Sequence, residues 1–124
     1  MDFGNLKMYI DGDLKSSIDK ITKDIYSPLN GEKIASLSWG NHKDSKIALE
    51  SASNGFKSWS KLPLSKRKEW MLKLRKQILE NENLLRKAIS YEMGKPYAAT
   101  GEDIESITNS LEYYAEIIDD FIKG

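Results

Sequence analysis

The sequence predicts a mostly helical chain, in which a short N-terminal β-hairpin region precedes about four amphipathic helices. Runs of β-prone residues separated by turn residues fill the first 40 positions, whereas apolar residues recur every three or four positions in the remainder. The length of 124 residues, 40% hydrophobic and 31% charged, is enough for one ordinary globular domain with one core.

The N-terminal region reads as strands and turns. Residues 7–10 form a short β-prone run, which the turn-prone residues 11–13 close. Further along, Asn30-Gly31 lies between β-prone runs at 25–26 and 33–37. Asn-Gly is typical of a tight hairpin turn because both residues tolerate positive φ. We therefore predict a hairpin that turns at Asn30-Gly31.

A first helix is predicted from an N-cap between Asn41 and Asp44 to about Leu62, before Pro63 breaks the pattern. Gly55, in its interior, would allow close packing against another element. The apolar positions recur at helical spacing and predict a buried face, formed by Ile47 or Ala48, Ala52, Phe56 and Trp59.

Ser65 is the predicted N-cap of a second helix. One face of this helix carries the apolar residues Trp70, Met71, Leu74, Ile78 and Leu79. Asn81 or Asn83 interrupts the helical pattern, which then continues to Met93. Gly94-Lys95-Pro96 is a stop signal, since glycine suits the C-terminal cap and proline cannot extend the helix.

A last helix is predicted to begin at the Thr100-x-x-Asp103 capping pattern and to end at about Ile122. Its apolar face consists of Ile104, Ile107, Leu111, Tyr114, Ile118 and Phe121. Four such helices could pack on one another as a bundle. They could equally pack on a β-sheet that these residues do not contain. The pattern leaves both arrangements open.

Composition excludes several kinds of site. With no cysteine and one histidine, these residues hold no disulfide, thiolate metal site, cysteine nucleophile or two-histidine site. The formal net charge of zero argues against a general nucleic-acid binder. No apolar run approaches the roughly 18 residues of a membrane span, and the N-terminus lacks a signal-peptide profile. We expect a cytoplasmic protein without membrane or nucleic-acid partners.

Three groups of residues are candidates for chemistry, and each has a simpler interpretation. His42 is interpreted as a solvated loop residue rather than an acid–base group. A basic stretch accompanies Trp59 and Trp70, and a solvated helix face is favoured there over a phosphate or single-strand site. Its members are Lys57, Lys61, Lys66, Arg67, Lys68, Lys73, Arg75 and Lys76.

The last helix is acidic, and its carboxylates are interpreted as solvated or partner-facing rather than as an acid–base pair or cation site. They are Glu102, Asp103, Glu105, Glu112, Glu116, Asp119 and Asp120. The opposed charges predict that the second and last helices lie close together, or that each meets a charged neighbour. The glycines form no phosphate-binding loop, so no catalytic constellation emerges from the residues alone.

Several segments in order resemble the N-terminal part of the aldehyde dehydrogenase superfamily. Tyr9-Ile10-Asp11-Gly12 is similar to its opening strand and turn, and Ser27 to Ala35 is similar to its hairpin. An alanine-phenylalanine-x-x-tryptophan pattern is matched at 55–59, with Gly55 in place of the alanine. The glutamate-x-glycine-lysine-proline turn is matched by residues 92–96, and the helix ending in paired aromatics by residues 111–116.

The resemblance implies an α/β fold and an enzyme that oxidises an aldehyde to the acid with NAD or NADP, on a Rossmann-like sheet. In the family a cysteine nucleophile and a glutamate base perform the chemistry, and both lie beyond the matched region. Residues 1–124 are thus expected to be the N-terminal part of the coenzyme-binding domain, incomplete, without the catalytic and oligomerisation regions. No catalytic or cofactor-binding residue is assigned, and no cofactor is expected for this chain alone.

The resemblance also implies partners and minor site residues. The partner is the rest of the subunit, and full-length relatives are homo-oligomers. Main-chain atoms at Ile25 and Glu92 match positions that hold a monovalent cation in some relatives. Ser106 and Asn109 match positions along the substrate tunnel. Ordinary surface positions are the simpler interpretation of all four.

We expect a fragment that does not catalyse alone, from an enzyme acting on a semialdehyde or small hydroxyaldehyde. A fragment would expose apolar helix faces, because covering helices lack their sheet. The alternative is a stand-alone helical interaction module derived from the same family.

Overall fold

A computed structural model describes the backbone of residues 1–123 and the side chains of these residues except at positions 119 and 121–123. The chain divides into two compact units, Met1–Lys61 and Leu62–Gly124, and each is described by itself. Short strands lie near the N-terminus and four α-helices follow, as predicted.

The first unit contains two small sheets and one helix. A three-stranded sheet has the order β1-β5-β4, with β1 parallel and β4 antiparallel to the central strand β5. A separate antiparallel pair joins β2 to β3. The strands are β1 (Asn5–Leu6), β2 (Met8–Ile10), β3 (Asp13–Lys15), β4 (Thr22–Tyr26) and β5 (Lys33–Ser38). Ile34 and Ala35 of β5 are buried.

The tight hairpin turn lies at Asp11-Gly12 rather than at Asn30-Gly31. Asp11 has φ 58° and Gly12 has φ 80°, which suits a two-residue loop between β2 and β3. The predicted hairpin of β4 and β5 is confirmed, but its loop is longer. There Gly31 has φ 72° and its N–H donates to the Ser27 carbonyl at 2.8 Å, while Asn30 keeps negative φ.

The helix α1 (His42–Trp59) begins at the predicted cap. The Asn41 side chain accepts hydrogen bonds from the Lys43 and Asp44 amides at 2.7 and 3.4 Å, and Asp44 Oδ2 accepts from the Asn41 amide at 2.9 Å. The helix ends three residues before the predicted Leu62. Gly55 would allow close packing, but nothing lies within 4 Å of a Cβ placed there.

The second unit contains α2 (Leu64–Glu80), α3 (Glu82–Met93), a 3-10 turn (Tyr97–Thr100) and α4 (Gly101–Lys123). The break at Asn81 and the stop at Gly94, which has φ 74°, are confirmed. The predicted cap at Ser65 is wrong, because α2 already begins at Leu64 and its N-cap lies two residues before Ser65. Pro63 is the N-cap, and its carbonyl accepts from the amides of the first turn at 3.0 and 3.2 Å.

Burial along α4 agrees with the predicted apolar face at Ile104, Leu111 and Ile118 and departs from it at Ile107 and Tyr114. Ile104, Thr108 and Ala115 are buried, with Leu111 half-buried between them. The predicted members Ile107 and Tyr114 are 46% and 57% exposed. The predictions for Asp119, Phe121 and Ile122 fall on side chains outside the described set.

Buried apolar side chains are few among the described residues. Ile34, Ala35, Ile104 and Ala115 are the hydrophobic residues that reach full burial there. Predicted core residues such as Phe56, Trp70 and Leu74 are 67%, 53% and 52% exposed. The predicted face of α2 is covered in part, since Met71 and Ile78 are half-buried and α2 packs on α4, whereas Phe56 on α1 stays exposed. Within the described part of the chain, no helix has the length and apolarity needed to cross a bilayer.

Candidate functional site

The basic helix α2 and the acidic helix α4 pack on one another, which confirms the prediction that these two helices lie close together. Arg75 on α2 makes the link. Its Nη2 lies 2.9 Å from Glu112 Oε2, and its Nε donates to the Thr108 carbonyl at 3.2 Å. Arg75 is thus held between two helices and does not act as part of a solvated basic patch.

A second arginine holds the connection from α3 to α4. Arg86 Nε donates to Thr100 Oγ1 at 3.2 Å, and its Nη2 donates to the Tyr97 carbonyl at 3.1 Å. The guanidinium also lies 4.5 Å from the centre of the Tyr97 ring and 3.3 Å from Glu82 Oε1. The Thr100 hydroxyl donates back to the Tyr97 carbonyl at 2.7 Å. These bonds fix the 3-10 turn that sets where α4 begins.

An apolar cleft of about 470 Å³ lies between α3 and α4. Two carboxylates stand among its lining residues, and Asp103 is paired with Lys95 Nζ at 2.7 Å. The lining consists of Ile78, Leu85, Ala88, Ile89, Glu92, Asp103, Ile104 and Ile107. Such a lining offers mainly apolar contact area.

A more polar cleft lies between α2, α3 and α4, where Arg75 and Thr108 meet. Arg75 is already bonded to Glu112 and to the Thr108 carbonyl. The lining also includes Leu79, Glu82, Gly101, Ile104, Glu105 and Asn109.

In the first unit, Asp24 on β4 and Lys33 on β5 form a surface ion pair. Lys33 Nζ lies 2.7 Å from Asp24 Oδ1, and the Ser36 hydroxyl donates to the same oxygen at 2.6 Å. The hydrogen bond from Lys33, aided by that from Ser36, lowers the pKa of Asp24. The same hydrogen bond raises the pKa of Lys33. Both shifts follow from bonds that favour the charged forms.

The cation-site residues of the sequence analysis lie in different units. Ile25 on β4 is paired with Ala35, immediately before an irregularity in the ladder. Glu92 is exposed near the end of α3 and lines the apolar cleft. Their role in binding a monovalent cation stays a prediction.

The tunnel residues Ser106 and Asn109 are exposed and three positions apart on α4, so they lie on neighbouring parts of its surface. Asn109 reaches the polar cleft, and the Ser106 carbonyl accepts from the Ser110 hydroxyl at 2.8 Å. Their contact with a substrate stays a prediction.

The other candidates remain surface groups. His42 is exposed as the first residue of α1, and Lys73 Nζ lies 4.5 Å from the centre of the exposed Trp70 ring. Among the described residues, no three histidine or acidic side chains lie together as a metal site. Sequence reasoning missed the role of Arg86, because the residues that it joins are 11 and 14 positions away.

Comparison with known proteins decides the family. The model of the aldehyde dehydrogenase family matches residues 15–124. The chain belongs to the aldehyde dehydrogenase family. Among curated members of this family, it is 31% identical to malonate-semialdehyde dehydrogenase 2 of Oceanobacillus iheyensis over 88% of its length. It is 30% identical to the D-glyceraldehyde dehydrogenase (NADP(+)) of Thermoplasma acidophilum over 89% of its length.

Solved aldehyde dehydrogenases share the fold of this chain. A point mutant of betaine aldehyde dehydrogenase from Staphylococcus aureus, in complex with NAD+, superposes on 91% of the chain with a TM-score of 0.87 and 30% identity. PnpE in complex with nicotinamide adenine dinucleotide superposes on 93% with a TM-score of 0.88 and 27% identity. The chain spans 22% of the length of each of the two curated relatives. It spans 23% of the length of the betaine aldehyde dehydrogenase chain and 24% of that of PnpE.

Proposed function

We propose that these 124 residues form the N-terminal part of the coenzyme-binding domain of an NAD(P)-dependent aldehyde dehydrogenase subunit. In this proposal the strands and helices frame a domain that further segments complete. Those segments supply the catalytic residues, the cofactor contacts and the oligomerisation region of a cytoplasmic homo-oligomer.

The observation that carries the proposal is the family match over residues 15–124, combined with the exposure of the apolar helix faces. A helix that exposes phenylalanine or tryptophan on its apolar side is typical of an element that another layer covers. The exposure expected for a fragment therefore agrees with the exposure in the structure.

The proposed reaction is the oxidation of an aldehyde to its acid with NAD or NADP. A semialdehyde or small hydroxyaldehyde is the proposed substrate class, supported by the names of the malonate-semialdehyde and D-glyceraldehyde relatives. In the same proposal, the main chain at Ile25 and Glu92 helps to hold a monovalent cation, and Ser106 and Asn109 border the substrate tunnel.

The described residues do not fit a nicotinamide dinucleotide by themselves. Its pyrophosphate needs backbone amides at the N-terminus of a helix that follows a parallel strand through a glycine-rich turn. In this chain β5 leads into α1 through Trp39-Gly40-Asn41, and the Asn41 and Asp44 side chains already occupy amides at that terminus. No chemical step is therefore assigned to these side chains.

An activity assay tests the proposal. The purified 124-residue chain is incubated with malonate semialdehyde, D-glyceraldehyde or betaine aldehyde and with NAD+ or NADP+, and absorbance at the reduced-nicotinamide band is followed. We expect no aldehyde-dependent signal, because the chain has no cysteine to form the thiohemiacetal. Turnover above a reaction without chain would contradict the proposal.

A gain-of-function arm complements this assay. Residues 15–124 replace the matched segment of the Oceanobacillus iheyensis malonate-semialdehyde dehydrogenase, which gives a full-length hybrid subunit. We expect aldehyde-dependent reduction of the cofactor to return in the hybrid. A hybrid that is folded by circular dichroism but inactive would contradict the proposed role.

A further inference from the structure

Four residues form an apolar stripe along α1 that the first unit leaves uncovered. Leu49, Ala52, Phe56 and Trp59 alternate three- and four-residue spacing, so they lie on one side of the helix. Leu49 is 71% exposed, Phe56 67% and Trp59 44%. We call these four residues the α1 stripe. Exposed apolar side chains aligned in this way typically pack on another helix or sheet.

The contacts of α1 with its own unit use another side of the helix. Asp44 is buried and its Oδ1 accepts from the Ile18 amide at 3.0 Å. The Ser51 hydroxyl donates to Asp11 Oδ1 at 3.3 Å, and the helix packs against β2. The stripe is thus a second face, which the stability of the first unit does not require.

In the second half of α1, the side of the helix opposite the stripe is polar around Asn54. Asn54 falls half a turn from the line through Ala52 and Phe56, and its Oδ1 accepts from Lys57 Nζ at 2.9 Å. The stripe therefore does not extend to the side of the helix that carries Asn54. We expect this side to remain exposed to solvent.

We propose that the α1 stripe docks on an apolar surface of the remaining part of an aldehyde dehydrogenase subunit. This inference rests on the proposed function and names the surface through which the first unit joins that subunit. The solved relatives superpose on 91% and 93% of this chain, yet the match covers only 23% and 24% of their length. A subunit of that size has ample chain to cover the stripe.

The small exposed area of the stripe favours docking within one subunit over docking on a second copy of the chain. A specific interface between separate proteins buries roughly 800 Å² on each partner, whereas four partly exposed side chains offer roughly half of that. A segment of the same polypeptide avoids the loss of translational and rotational freedom that separate molecules undergo on association. A small apolar stripe is therefore sufficient within one subunit.

Thiol footprinting tests the proposal, because the chain contains no cysteine of its own. Leu49→Cys, Phe56→Cys and the matched control Asn54→Cys are each introduced into the 124-residue chain and into the hybrid subunit with the Oceanobacillus iheyensis relative. The rate of maleimide labelling at each introduced thiol is measured by mass spectrometry of its peptide. Circular dichroism verifies helix content, and the exposure of both replaced apolar side chains favours retention of the fold.

We expect labelling at positions 49 and 56 to be at least tenfold slower in the hybrid than in the chain alone, while labelling at position 54 changes less than twofold. Equal rates at all three positions in the two proteins would overturn the docking surface, even if the hybrid is active. Protection in an inactive hybrid would support the surface and count against the proposed function.

A second copy is tested on the same proteins. Protection of positions 49 and 56 in the chain alone, rising with chain concentration and accompanied by a dimer in light scattering, would overturn the assignment to the subunit. Rates in the chain alone that stay fast and independent of concentration, below the concentration at which the chain scatters light, would support it.

Discussion

Asp44 joins two segments of the first unit through a buried carboxylate. Its two oxygens accept from the Asn41 amide at 2.9 Å, which closes the helix cap, and from the Ile18 amide at 3.0 Å, which is 26 positions away. Asp44 is only 4% exposed, and burying a carboxylate is unfavourable unless hydrogen-bond donors such as these two amides remain in place. The cap is readable from sequence, whereas the bond to Ile18 is not.

Asp44→Ala is therefore expected to lower the free energy of unfolding by about 1–3 kcal/mol, since it removes part of the cap and leaves the part-buried amides of Asn41 and Ile18 without their acceptor. Urea unfolding followed by circular dichroism measures the change. Asn41→Ala is the comparison variant and is expected to cost about 1 kcal/mol, because it removes the cap and an exposed hydrogen bond from its Nδ2 to Asp19 Oδ2. A smaller effect for Asp44→Ala than for Asn41→Ala would contradict this assignment.

The ion pair of Asp24 and Lys33 predicts a pH dependence at both ends of the scale. The pKa of Asp24 is lowered from its usual 3.8, so its contribution to stability is present above that value and is lost as pH falls through the folded pKa. The pKa of Lys33 is raised from 10.5, so its contribution is present below that value and is lost as pH rises through the folded pKa.

Melting temperatures from pH 2 to 12 test this for the chain and for Asp24→Asn. We expect the difference between the two proteins to be largest between these limits and to shrink outside both. The pair is exposed to solvent, so the difference is expected to be small and to fall with added salt. A difference that is constant across the whole pH range would exclude the pair as its cause.

At the scale of single elements, helix ends follow local rules and helix faces do not. Gly94 ends α3 because its left-handed φ of 74° suits glycine, and its N–H donates to the Ser90 carbonyl at 2.9 Å. In contrast, the buried row of α4 depends on what α2 and α3 place against it. Arg75 and the Thr108 carbonyl form part of that contact, and neither follows from apolar spacing.

Two glycine substitutions are expected to act in opposite directions. Gly94→Ala is expected to destabilise by about 1 kcal/mol, since alanine is strained at positive φ. Gly55→Ala is expected to stabilise by up to about 1 kcal/mol, because nothing lies within 4 Å of the added Cβ and alanine favours the helix interior. Thermal unfolding of both variants beside the parent measures the signs. The same sign for both would contradict a helix cap at Gly94 or a helix interior at Gly55.

At the scale of the whole chain, exposed apolar faces dominate. Phe56, Trp70 and Leu74 remain more than half exposed, and the fully buried hydrophobic residues among those described are few. Apolar burial is the main favourable contribution to folding, so the two units have little with which to offset conformational entropy. According to the proposed function, other segments of the subunit cover these faces.

The isolated chain is expected to bind an apolar dye, to scatter light at micromolar concentration and to unfold over a broad temperature range. Dye fluorescence, light scattering and calorimetry on one preparation measure these properties. A monodisperse chain with one sharp, cooperative transition and no dye binding would favour a stand-alone helical module instead. The hybrid subunit provides the control, since covering the faces should abolish the dye signal.

The sequence by itself determined the family, the order of a β region followed by four helices, a cap between Asn41 and Asp44, a break at Asn81 or Asn83 and the stop at Gly94. Each local feature among these depends on hydrogen bonds and φ preferences within a few neighbouring residues. The tertiary structure decided the rest: the bond from Ile18 to Asp44, the link from Arg75 to α4, and the exposure of Phe56. These depend on which distant segments meet, and apolar spacing marks a face of a helix without specifying what covers it.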